Sequence, residues 1–121
     1  MRHRNLTTRK TILAILRTDS TFEKVEARGG EAWLGKCLHC NAHLYVALDG
    51  EPISRVTIEH IVPQSAGGTD ALENLGLACS RCNHQQGRRH DPKGLANART
   101  AEVVEKLLKK RRERWREPVE T

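Results

Sequence analysis

The chain has 121 residues, 37% of them hydrophobic and 3% aromatic, and a formal net charge of +6. That length suits a single modest domain whose thin core calls for a staple, and no apolar run approaches the roughly 20 residues of a membrane span. The basic start, Met1 to Lys10, leads only into the short Thr11–Leu16 stretch rather than a secretory signal. The expected compartment is therefore the reducing cytoplasm, where paired cysteines read as metal or redox groups rather than disulfides.

Charge is unevenly distributed. Residues 1–28 carry seven Lys/Arg against three Asp/Glu, residues 29–87 three against six, and residues 88–121 eleven against six. An acidic centre between basic flanks suits a bound cation and a polyanion held from outside, although solvated helix faces would give the same count.

In chain order, Thr8 to Thr18 predicts a helix, because Ile12, Ile15 and Leu16 recur at helical spacing. Ser20-x-x-Glu23 resembles a capping box opening a second short helix, with Phe22 and Val25 buried and Gly29-Gly30 as its end. Trp33 and Leu34 are expected in the core. Leu44–Leu48 and Arg55–His60 read as two strands of a hairpin around the turn residues Asp49-Gly50-Glu51-Pro52. Gln64 to Thr69 is a loop of small residues, and Ser80 to about Gly87 or Arg89 a short helix. Asp91-Pro92 begins a basic helix that could run to Glu117, broken near Gly94 or reset at Thr100. Its stripe of Val103, Val104, Leu107 and Leu108 should pack inward and leave Lys109 to Arg116 outside.

Cys37-x-x-Cys40 and Cys79-x-x-Cys82 have the spacing of two metal-binding knuckles. Four thiolates complete a tetrahedron, so one structural zinc is expected, with His39 and His43 left exposed. No thioredoxin-like pattern surrounds either pair.

Between the knuckles lie Ile58-Glu59-His60-Ile61-Val62-Pro63, a Gly67-Gly68 loop and Asn74-Leu75; Asn83 follows the last cysteine. Across residues 37–87 this combination resembles the HNH endonucleases, the zinc-containing branch of the ββα-metal nucleases. The resemblance implies a small ββα-metal, treble-clef-like core, placed over residues 31–90 of an α+β fold; the N-terminal helices (1–30) and basic C-terminal helix (91–117), which it does not cover, flank that core in the expected single domain. It implies His60 as general base, Asn74 as the residue holding the loop and orienting it, and Glu59 and Asn83 as ligands of a catalytic Mg²⁺ or Mn²⁺. This sequence departs from the family pattern in three places. Glu59 stands for the usual Asp, Asn83 for a terminal His with His84 as a rival ligand, and Gln86 for a common lysine, so that Arg88 or Arg89 could reach phosphate instead.

Glu59 and His60 are neighbours on a strand and should point to opposite faces unless the strand ends or twists there. Lys109, Lys110, Arg112 and Arg114 are the expected phosphate contacts of the C-terminal helix. DNA is the expected partner, with no membrane role and a monomer or homodimer both open. Two other readings compete: a zinc-framed nucleic-acid-binding module without catalysis, and an interaction domain whose basic helix binds an acidic protein.

Overall fold

A computed structural model describes residues 5–87 and 98–120. Arg88, Arg89 and the expected helix start at Asp91-Pro92 lie outside the described residues. Within them the chain is α+β, with two antiparallel sheets and three α-helices. Helix α1 spans Leu6–Arg17. Its cap residue Asn5 accepts a 2.8 Å hydrogen bond from Thr8 N, which satisfies one of the open donors of the first turn. Ile12, Ile15 and Leu16 form its buried face, as their periodicity predicts.

Strands β1 (Glu23–Ala27), β2 (Gly30–Lys36) and β3 (His43–Ala47) form one sheet in that order. β1 replaces the second helix expected after Ser20. Buried Asp19 organises this entry instead: its Oδ1 accepts from Thr21 N and Thr21 Oγ1 at 2.8 Å each, and its carbonyl accepts from Phe22 N. Gly29 and Gly30 turn a hairpin rather than ending a helix. A helix this short cannot repay its nucleation, whereas a strand beside Trp33 gains a cross-strand partner, with Lys24 Nζ 5.6 Å from the indole centroid. Trp33 enters the core beside Cys37 and Cys82, but Leu34, on the other face of β2, is only half-buried.

The second sheet pairs β4 (Val56–His60) with β5 (Leu75–Cys79). The expected hairpin between 44–48 and 55–60 does not form, because β3 pairs with β2 and joins the following segment only before β4 begins, through a Val46–Pro52 bridge and hydrogen bonds with Glu51, Ile53 and Ser54. Helix α2 (Ser80–Gly87) follows β5 directly, so the ββα unit is β4, β5 and α2. Helix α3 spans Ala98–Glu113, ending short of Glu117.

Two apolar clusters hold these elements together. One joins α1, Trp33, β3, β4, β5 and two cysteines. The other joins Val104 and Leu107 of α3 to Leu38 and Ile61, with Val103 and Leu108 at its edge, so the expected stripe does pack inward. The expectation that Lys109 to Arg116 lie outside holds for Lys109 and Arg112 but fails for Arg111 and Arg114. Arg111 is 1% exposed and Arg114 8%, because they continue the face of Val104 and Leu107. Arg111 donates to the carbonyls of Leu75 (2.8 Å), Thr18 (3.2 Å) and Leu72 (3.2 Å), and to Thr18 Oγ1 (2.7 Å). Arg116 donates to the carbonyls of Arg17 and Leu16, both at 3.0 Å. Two guanidinium groups thus close the carbonyl end of α1, where cations also suit the helix dipole.

Candidate functional site

Cys37 and Cys40 turn at the end of β2, while Cys79 closes β5 and Cys82 lies one turn into α2. Their sulfurs gather within 4.8 Å of one another, a cluster that could hold a metal ion. Cys40 Sγ and Cys79 Sγ are 3.9 Å apart, close to the separation of about 3.8 Å that 2.3 Å zinc–sulfur bonds set in a tetrahedron. Cys79 N donates to Cys37 Sγ at 3.3 Å. Burial, hydrogen bonds with Cys79 and Cys40, and the neighbouring thiolate charges all hold the Cys82 thiol well above its usual range. Such repulsion is what a bound cation relieves.

Helix α3 braces this knuckle. Arg114 donates to Lys36 O (3.0 Å), Cys37 O (3.4 Å) and Asn41 Oδ1 (2.6 Å), and Asn41 takes a left-handed φ of 63°. Arg114 is therefore withdrawn from the expected phosphate contacts: its donors face the interior. Lys110 Nζ reaches His39 O at 3.4 Å. Burial and Arg114 lower the pKa of Lys110, while the thiolates of Cys37, Cys40 and Cys82 oppose that shift. Lys109 and Arg112 are exposed.

His60 ends β4, opposite Leu75. Its Nε2 lies 2.7 Å from Asp70 Oδ1, which also accepts from Gln64 Nε2 at 3.4 Å. The ring opens onto a cleft of about 530 Å³ between α1 and the β4–β5 hairpin, lined by Thr7, Lys10, Thr11, Asp70 and Leu72 among others. Asn74 shapes the loop between His60 and Asp70. Its amide accepts from Val62 N (2.8 Å) and donates to Val62 O (3.0 Å) and Thr69 O (2.8 Å). Gly68 closes the same loop by close approach: a Cβ there would lie 1.7 Å from Val62 O.

Glu59 faces the other way. It is 2% exposed; Oε2 bonds to His39 Nε2, and Oε1 has no hydrogen-bond partner among the described residues. The alternation of β4 therefore holds, and Glu59 does not line the cleft that contains His60. Gly76, opposite Glu59 in the ladder, makes room for this contact. A Cβ on Gly76 would lie 2.7 Å from Leu38 Cδ2, so glycine lets the knuckle settle onto β5 and bring His39 to Glu59. His39 is thus a partner of the acid rather than an exposed surplus histidine, whereas His43 is exposed. Asn83 is half-buried on α2 and His84 exposed.

Sequence reasoning missed Asp70 and the role of His39. The available signals were a carboxylate in the loop between His60 and Asn74, and a histidine inside a knuckle already saturated by thiols.

The sequence model of the HNH endonuclease family matches residues 49–97, about two fifths of the chain. The match includes Glu59, His60, Asn74, the second knuckle and Asn83; α1, the first knuckle and α3 lie outside it. No curated protein matches the chain, and no solved structure does. Over residues 49–97 the chain is therefore similar to the HNH endonucleases.

Proposed function

We propose that the protein is a metal-dependent DNA endonuclease, with His60 as general base and a structural zinc on Cys37, Cys40, Cys79 and Cys82. The observation that carries this reading is the His60–Asp70 pair at the edge of an open cleft, inside the family segment. With its Nε2–H donating to Asp70, His60 keeps Nδ1 free to accept a proton. The base takes that proton from water as the water oxygen bonds to phosphorus, and the phosphorus–oxygen bond to the leaving group breaks. Asn74 acts at one remove, fixing the Val62 and Thr69 backbone on either side of the base.

A catalytic Mg²⁺ or Mn²⁺ fits Glu59 on one observation, the buried Oε1 that lacks a hydrogen-bond partner among the described residues. Glu59 and Asn83 would hold this ion, which supplies positive charge to phosphate oxygens when bound. Glu59 lies on the strand face away from the His60 cleft, and that supports a second reading: a nucleic-acid-binding module that no longer cleaves.

Plasmid nicking with added Mg²⁺ or Mn²⁺ tests the two. The parent should nick, and His60→Ala should lose about 10²–10⁴ in rate while keeping its fold and DNA affinity. A parent that binds DNA but never nicks with either metal favours the second reading. A His60→Ala variant as fast as its parent removes His60 as the base.

A further inference from the structure

We infer that the cleft between α1 and the β4–β5 hairpin receives one nucleotide unit of the DNA strand, with its phosphate on the α1 rim and its sugar and base on an apolar floor. The polymer's identity rests on the nuclease reading; the cleft and its chemistry do not.

Thr7, Lys10, Thr11 and Ala14 fall three or four residues apart and so share one helix face, beside the buried face of Ile12 and Leu16. This face forms one wall of the cleft. Ile58, Leu72 and Leu75 form the floor, and His60 and Asp70 the opposite rim. The volume of about 530 Å³ lies within the range of small-ligand sites, roughly 300–1,000 Å³. Its combination of apolar floor and polar edges suits a nucleotide better than a bare anion. Ala14 keeps the floor open, since a larger side chain at that position would project into it.

The charges on α1 point the same way. Arg9 is tied to Asp49 at 3.2 Å and Arg17 to Val119 O at 2.7 Å. Lys10 is exposed and has no hydrogen bond or ion pair among the described residues. The hydroxyls of Thr7 and Thr8 likewise donate to nothing among the described residues, whereas Thr11 Oγ1 is turned back to Thr7 O at 3.0 Å. Asp70 is the anion facing this rim, and it is bonded to His60. A phosphate is therefore met on the α1 side by a free ammonium group and two free hydroxyls. This wall lies outside the segment that matches the family.

The test uses the full zinc-loaded chain and a fluorescein-labelled DNA oligonucleotide, without added Mg²⁺ and at several salt concentrations. Lys10→Gln should lower the slope of log affinity against log salt by about 0.7–0.9, one phosphate contact. Ala14→Leu, which changes no charge, should weaken binding by about 10–200-fold, the range for misfit in an apolar pocket. Zinc content and thermal unfolding should stay at the parent's values in both. As a check that needs no variant, thymidine 3′,5′-bisphosphate added to ¹⁵N-labelled parent should shift amide signals of Thr7, Thr11, Ile58 and Leu72. Parental binding by both variants with no such shifts overturns the inference. A lowered slope for Lys10→Gln with parental binding by Ala14→Leu also overturns it, since only a surface phosphate contact would remain. If the parent nicks DNA and both variants nick equally well, the cleft inference fails while the nuclease reading stands. If the parent never nicks but both variants bind weakly, the nuclease reading fails and the cleft inference stands.

Discussion

Helices α1 and α3 are both basic and amphipathic, yet their cations do different work. Arg111 of α3, with Arg114 and Arg116 just beyond its end, turns inward, and the three donate to backbone carbonyls of α1, β5 and the first knuckle. On α1, Lys10 faces the open cleft beside His60. The side chains explain the split. A guanidinium fork can serve several carbonyls at once, and all three inward groups are arginines; an ammonium group is a compact charge suited to a mobile phosphate. Net charge therefore says little about where a polyanion lies until the committed cations are subtracted.

The strongest way to break this comparison is to disable the four-cysteine cluster, whose proposed zinc would sit beside the end of α3. Structural zinc contributes about 10–16 kcal/mol in small zinc domains near neutral pH, comparable to or larger than the whole stability of a domain this size. Chelation, or Cys79→Ser, should therefore abolish the cooperative thermal transition seen by circular dichroism. A chelated protein with an unchanged transition would mean that α3 and the apolar clusters hold the knuckle alone.

Next in size is Arg111→Met, which keeps an unbranched apolar stem in place but leaves the carbonyls of Thr18, Leu72 and Leu75 without this donor. Each orphaned acceptor costs about 1–3 kcal/mol, so the denaturant midpoint should fall well below that of an Arg112→Met control, expected within about 0.5 kcal/mol of the parent. Equal midpoints would deny Arg111 its structural role.

The smallest effects sharpen the contrast among the cations at the end of α3. Arg114→Gln should lower stability and leave the salt dependence of DNA binding unchanged. Changing exposed Lys109 and Arg112 together should do the reverse, leaving stability nearly intact and reducing the salt slope by at most about 1.8. An Arg114→Gln variant that stays stable but loses salt slope would reverse the two assignments.

Much of this arrangement could be read from the sequence. Cysteine spacing announced the cysteine cluster, helical periodicity announced α1 and the apolar stripe of α3, and the short helix from Ser80 was expected as well. The same periodicity held a further signal, since Val104, Leu107, Arg111 and Arg114 share one face and only the charge of the last two argued against burial. β1 was hidden behind a plausible capping box, because Asp19 supplies the local hydrogen bonds expected of Ser20. β5 was hidden by its burial: Leu75-Gly76-Leu77-Ala78 shows no alternation, since both of its faces are covered. The opposed directions of Glu59 and His60 followed from strand geometry alone. The pairing of Glu59 with His39 did not, because it depends on how closely the knuckle packs over Gly76.

The arginine clasp at the end of α1 also bears on when the fold can assemble during synthesis. Arg17 and Val119 are 102 positions apart in the chain, yet Arg17 Nε donates to Val119 O, and Arg111 and Arg116 close the adjacent carbonyls. At about 5–20 residues per second, a ribosome needs about 5–20 s to make the segment between them. Throughout that interval the carbonyls of Arg17 and Thr18 lack their arginine donors, and α1 is held mainly through its apolar face. A nascent chain thus carries His60 and both knuckles well before the segment around Arg111 to Val119 can clasp the end of α1.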